Sequence, residues 1–111
     1  MSDARLPAHL EVAGLIRLAE SLGGFATVLA KGERDGGTIL IAIMCRGGPA
    51  QLYERLPGLD GSRSFVATKS QDSENPEEFS EYLDRRRRQD PDLWILEVDI
   101  DAAERFTAIL P

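Results

Sequence analysis

Residues Ile39 to Met44 read Ile-Leu-Ile-Ala-Ile-Met, six apolar side chains with no polar alternation. A strand with one face in water alternates apolar and polar residues, so a short run that does not alternate must be covered on both faces. The run predicts a central strand over Thr38 to Cys45, with Cys45 as a small buried apolar residue at its end. It is far shorter than the ~20 residues a membrane-crossing helix needs. Something must lie on each side of this strand, and 111 residues are enough for one hydrophobic core but not two. The chain therefore reads as a single domain over residues 1–111.

The flanking sequence supplies the cover. From Ala8 to Leu22, steps of 100° gather Val12, Leu15, Ile16, Leu18, Ala19 and Leu22 into one arc, the pattern of an amphipathic helix. Pro7 suits its first turn, and Gly23-Gly24 suit its C-terminal cap. Phe25 to Lys31 reads as a strand, and the glycines and acids of Gly32 to Gly37 suit a reversal into the central strand, hence a β-hairpin. Gln51 to Leu56 and Ser64 to Thr68 read as two further strands, and Lys69 to Asn75 as a loop. Asn75-Pro76-Glu77-Glu78 has the form of a capping box with proline at the first helical position, opening a second helix that runs to about Gln89. After Asp90-Pro91-Asp92, Leu93 to Ile100 forms a fifth strand, with Trp94, Leu96, Val98 and Ile100 on one face and Ile95, Glu97 and Asp99 on the other. A short helical turn, Asp101 to Phe106, is expected to cover an edge. The expected fold class is α+β, in the order α-β-β-β-β-α-β: a mainly antiparallel sheet of about five strands with the two main helices packed on one face.

Charge and rare residues exclude several classes of function. Thirteen basic and nineteen acidic residues give a net charge of −6, and a pI near 4.7 disfavours nucleic acid and anionic membranes. The acidic excess lies beyond Gly58, where seven basic residues face thirteen acidic ones. The single cysteine, Cys45, forms no internal disulfide, and no Cys/His spacing suits zinc. No secretory leader or spanning segment is expected, which places the protein in the cytoplasm. His9, on the polar arc of the first helix, has no nucleophile motif near it in the sequence. No catalytic set, metal site or cofactor is expected.

Five residues remain as candidates for binding: Arg86, Arg87, Trp94, Glu97 and Asp99. Arg85-Arg86-Arg87-Arg88 could hold an anion, but Glu81 precedes Arg85 by four residues and Asp84 precedes Arg88 by four, the spacing of helix-surface ion pairs. That leaves Arg86 and Arg87, beside Leu83, with one of them drawn toward the sheet. Glu97 and Asp99 share a strand face, which Asp101 would join, and could ligate a hard cation if a further ligand were near. Trp94 could anchor a partner, though the strand face it shares with Leu96 and Val98 suits the core.

The stretch Pro7 to Ala30, together with Arg85-Arg86-Arg87-Arg88-Gln89-Asp90-Pro91-Asp92-Leu93-Trp94, resembles the bacterial domain-of-unknown-function family 1491 over nearly the whole chain. That resemblance implies no activity and no site residues. The element order also resembles the core of restriction-endonuclease-like nucleases. Leu56, however, stands where their Glu-x-Lys motif would need a lysine after Glu54, so the metal site would be incomplete.

These features point to a small cytoplasmic, non-enzymatic protein-interaction or accessory module, with a protein partner or self-association as a homodimer. One alternative is a metal-dependent phosphoesterase or nuclease-like enzyme using Glu97, Asp99 or Asp35. A second alternative is a binder of a small acidic ligand at Arg86 or Arg87.

Overall fold

A computed structural model describes residues 6–110. Its elements are α1 (Ala8–Ser21), β1 (Phe25–Ala30), β2 (Ile39–Met44), β3 (Gln51–Pro57), β4 (Arg63–Ser70), α2 (Pro76–Gln89), β5 (Trp94–Asp99) and α3 (Ala103–Ala108). The expected order of helices and strands holds throughout. All five strands form one mixed sheet in the order β1-β5-β2-β3-β4. Three of its pairings are antiparallel, and β2 runs parallel to β5.

β2 is central, as its lack of alternation requires. Ile39, Ile41 and Ile43 point into one core with Trp94, Leu96, Val98 and Ile100, covered by Val12, Leu15 and Ala19 of α1 and by Phe106. Leu40 and Ala42 point into a second core with Leu52, Leu93 and Ile95, covered by Phe79 and Leu83 of α2. The two main helices thus lie on opposite faces, which corrects the one-face expectation. Two buried faces on one strand demand two covering layers, and each helix has a single apolar stripe to offer. Phe106 of α3 is fully buried beside α1, so this last turn closes a face rather than an edge.

The expected hairpin between β1 and β2 does not form, because β5 lies between them. The segment after β1 crosses the start of β5 instead of turning back. Glu33 N donates to the Asp92 carbonyl at 2.9 Å, Trp94 N to the Thr38 carbonyl at 2.8 Å, and Trp94 Nε1 to the Glu33 carbonyl at 2.7 Å. A Cβ on Gly32 or Gly37 would run into the Asp92 carbonyl. These glycines serve close approach of two backbones, not a reversal.

The helix ends follow local chemistry in part. At the end of α1, Gly23 has φ +85°. Gly24 N bonds back to the Ala19 carbonyl and Gly23 N to the Glu20 carbonyl, the paired pattern of a Schellman cap. At the start of α2, Asn75 is the N-cap and Pro76 the first helical residue, but no side chain caps the helix, so the expected capping box is not made. Cys45 is exposed rather than buried, because β2 ends at Met44 and the thiol opens the following turn. Among the described residues, no helix is long and apolar enough to cross a membrane.

The crossing yields a contrast between neighbouring glycines. Gly32→Ala should destabilise the fold by about 2 kcal/mol or more, since it forces the crossing segment off Asp92. Gly36→Ala, whose Cβ would meet only Glu33 Oε1 at 3.6 Å, should stay within about 0.5 kcal/mol. Urea denaturation of the two variants checks this, and equal losses would contradict the role given to Gly32.

Candidate functional site

Helix α2 presents Phe79 and Leu83 to the sheet, and a turn further on the same side emerges Arg86. Arg86 Nη2 donates to Glu54 Oε1 of β3 at 3.0 Å, and Nη1 donates to the Tyr82 hydroxyl at 2.9 Å. The other oxygen of Glu54 accepts the Thr68 hydroxyl of β4 at 2.6 Å. Arg86 is therefore the arginine drawn to the sheet, and both of its terminal nitrogens donate to partners inside the protein. Burial pushes the Glu54 carboxyl up, but the hydrogen bonds from Arg86 and Thr68 and the Arg86 charge outweigh it, so its pKa lies below the ordinary 4.5. The bond to Glu54 in turn holds the Arg86 guanidinium above its usual value.

The next residue of β3 performs the mirror task. Arg55 pairs with Glu11 of α1 and lies 4.5 Å over the Phe65 ring, with both charged side chains more than four-fifths buried. Consecutive residues point to opposite faces of a strand, so Glu54 holds α2 and Arg55 holds α1. The adjacent opposite charges within Gln51–Pro57 were the sequence signal for this pair of tethers. Alternation alone reads Gln51 to Leu56 as a half-buried strand, with Glu54 on the side of Leu52 and Leu56 and Arg55 on the side of Gln51 and Tyr53, and gives neither charge a partner.

At the C-terminal ends of parallel β2 and β5, the carboxylates have a different task. Arg46 (φ +53°) and Gly47 (φ +72°) form a tight turn closed by Gly48 N donating to the Cys45 carbonyl at 2.9 Å. Asp99 accepts both exposed amides of the turn, Arg46 N at 2.7 Å and Gly47 N at 3.1 Å. Asp101 takes the Arg46 guanidinium in two bonds of 3.0 Å. The Arg46 bonds and charge hold the Asp101 carboxyl below its usual range. The Cys45 thiol lies 3.6 Å from Asp101 Oδ1, and desolvation and that carboxylate push its pKa above 9.0. A thiol held protonated in this way is a poor nucleophile.

The five residues singled out by sequence thus separate. Trp94 is buried in the α1 core, as its strand face suggested, and presents no surface to a partner. Arg86 is an internal tether, and Asp99 organises the Arg46 turn. Glu97 is half-buried on the α2 face of β5, opposite Thr27 of β1. Arg87 is exposed and borders a groove of about 230 Å³ with Leu29, Ser80, Leu83, Asp84 and Ile95. Among the described residues, Arg85, Arg87 and Arg88 take part in no ion pair, so the expected Glu81–Arg85 and Asp84–Arg88 pairs are not made. Arg85 instead lies 5.6 Å from the Tyr82 ring centre. No three metal-ligating side chains come together among the described residues.

A feature that sequence reasoning did not single out is the outer edge of β1. Phe25-Ala26-Thr27-Val28-Leu29-Ala30 carries no charge, and Phe25, Val28 and Leu29 are 77%, 40% and 41% exposed. The other edge, β4, is bounded by Arg63 and Lys69, and its Phe65 lies under Arg55. The alternating apolar and small residues of β1 were visible, but the hairpin reading had given that edge to β2.

The fold and these contacts define a small protein with a mixed five-stranded sheet between helices, in which the central charged residues brace the fold. The chain belongs to the DUF1491 family, described as proteins of unknown function, whose pattern it matches over residues 6–108. A crystal structure of a DUF1491 family protein from Caulobacter crescentus CB15 is similar, with a TM-score of 0.79 and 32% identity, covering 96% of this chain and 98% of that one. A solution structure of a protein from A. tumefaciens has a TM-score of 0.76 and 31% identity, covering 93% and 92%. An NMR structure of a DUF1491 family protein from C. crescentus CB15 has a TM-score of 0.76 and 33% identity, covering 96% and 94%. No curated protein matches the chain.

The Glu54 contact gives a pH-dependent prediction. A carboxyl with a depressed pKa contributes stability above its unfolded value and loses it as pH falls through the folded value. Stability should therefore decline as pH drops below about 4.5, and Glu54→Gln should remove about 1–2 kcal/mol at pH 7 while flattening that decline. Denaturant midpoints from pH 7 to pH 3 check this; parallel pH curves for the two proteins would rule out the assignment.

Proposed function

We propose that this chain is a non-enzymatic interaction module that engages another polypeptide along the outer edge of β1. The observation that carries this reading is the uncharged six-residue edge itself, with Phe25, Val28 and Leu29 in water. Such an edge offers unpaired backbone groups for strand addition, and proteins commonly blunt it with charge or proline. Here the bulge between Val28 and Ala30 is the one irregularity along the strand. The edge β4, by contrast, carries its own basic residues.

Asp99, one of the carboxylates that a metal-dependent phosphoesterase would use, is occupied with structure, which counts against that alternative. Glu54 holds Arg86, while Asp99 and Asp101 hold the Arg46 turn. A cytoplasmic setting accords with a lone exposed thiol, which stays reduced there.

The test is a photo-crosslinking amino acid, p-benzoylphenylalanine, placed at Phe25 or, as a control, at Val66 of β4, in cells of the source organism. The Phe25 probe should give a discrete protein adduct, with a second copy of the chain or with another protein, and the Val66 probe should not. Absence of any discrete adduct from position 25 would overturn the interaction reading.

A further inference from the structure

We infer that the gap between α3 and the β2–β3 pair is a binding site for a small free alkylammonium ion, an amine carrying a short apolar chain. The polypeptide leaves β2 for β3 and leaves β5 for α3, and a cavity of about 210 Å³ lies between the two exits. It opens beyond the C-terminal end of β2, which is paired in parallel with β5. Sheets with parallel strands commonly hold their ligands at that end. None of the lining residues belongs to β1 or α2, so the site is separate from the proposed docking edge. The volume lies below the roughly 300 Å³ at which pockets for drug-sized ligands begin, so the occupant is small.

The lining selects the chemistry. Ile43, Met44, Pro49 and Ala103 make much of it apolar, and the one formal charge in it is the carboxylate of Glu104. Among the described residues that carboxylate enters no ion pair. Arg46, whose turn begins beside Cys45, is taken up by Asp101, and the exposed Arg105 does not line the cavity. The Tyr53 ring in the wall is the second cue. Phe65 has Arg55 over its face, and Tyr82 has Lys69, Arg85 and Arg86 within 5.7 Å, whereas Tyr53 takes no cation among the described residues. A carboxylate and an uncovered aromatic ring at one apolar cavity favour an organic cation over a neutral or anionic ligand, and a net charge of −6 draws cations to the protein. A lone carboxylate is too few ligands for a metal ion. Glu104 is exposed and Ile43 buried, so the charge stands at the mouth and the apolar surface at the floor. The alkyl end therefore enters first. A partner's lysine side chain is tethered at its alkyl end and would have to enter reversed, which leaves a free amine as the occupant.

Titration of the full chain with n-butylammonium, followed through backbone amide NMR shifts at constant ionic strength, tests this. Two companion probes, 1-butanol and pentanoate, carry the same butyl group on a neutral and an anionic head. The expected result is saturable shifts centred on Cys45, Tyr53, Ala103 and Glu104, with a Kd on the order of millimolar for n-butylammonium and roughly fivefold or more weaker binding of the other two. Glu104→Gln should raise the n-butylammonium Kd roughly fivefold and leave that of 1-butanol unchanged. Tyr53→Leu should raise it by a similar factor, while Glu81→Gln, at an exposed acid of α2, changes nothing. If Tyr53→Leu disturbs the fold, the exposed position Glu104 decides the matter alone. No saturable shift at these amides up to about 50 mM, a companion probe bound as tightly as n-butylammonium, or a Glu104→Gln Kd equal to the parent's would overturn the inference. Tighter binding of Nα-acetyl-lysine amide than of n-butylammonium would also overturn it, handing the cavity to a partner's lysine side chain.

Discussion

The parallel pairing of β2 with β5 sets the terms for the rest of the molecule. Residues Ile39 to Ile43 and Trp94 to Leu96 are buried without interruption, so water cannot satisfy their peptide groups and a strand must lie on each side of both. β3 and β1 fill those outer places. Covering both faces of the pair then requires α1 on one side and α2 on the other. Because parallel neighbours cannot be joined by a tight turn, the chain leaves β2 through β3, β4 and α2 before it returns as β5.

Much of this was legible in the sequence, and the omissions have physical causes. The unbroken apolar run placed β2 at the centre, and the alternation of Trp94, Leu96 and Val98 with Ile95 and Glu97 assigned the two faces of β5 correctly. Which strands become neighbours is not written in apolar patterning, because β1 presents the same half-apolar edge to either β2 or β5. The glycines of Gly32 to Gly37 compounded the error, since a tight crossing and a tight reversal ask for the same residue. The one-face placement of the helices conflicted with what β2 had already implied, namely that a strand without a wet side needs two layers.

The candidate site was legible in a similar way. Helical spacing suggested that Glu81 and Asp84 would occupy two of the arginines, and a stripe beside Leu83 suggested that Arg86 or Arg87 turns inward. Arg86 does turn inward, to a carboxylate 32 positions earlier in the chain, a partner that no local spacing can reveal. The signal lay at the other end of the contact: Glu54 and Arg55, opposite charges at adjacent positions of a strand, each facing a helix. Together they fasten the two layers to β3, and a strand with one charge on each face is an economical way to do so in a domain of this size.

The position of β5 also bears on how the molecule is made. Its residues Trp94 to Asp99 belong to the sheet's interior but leave the ribosome after those of the other four strands. Until they arrive, β1 and β2 have no common neighbour, and the apolar flanks of both stay unprotected. The nascent chain can assemble β2, β3 and β4 as a meander, yet insertion of β5 joins segments far apart in sequence and comes late, the kind of step that slows folding and exposes intermediates to aggregation. A truncation before Trp94 would remove the middle of the sheet rather than trim its margin.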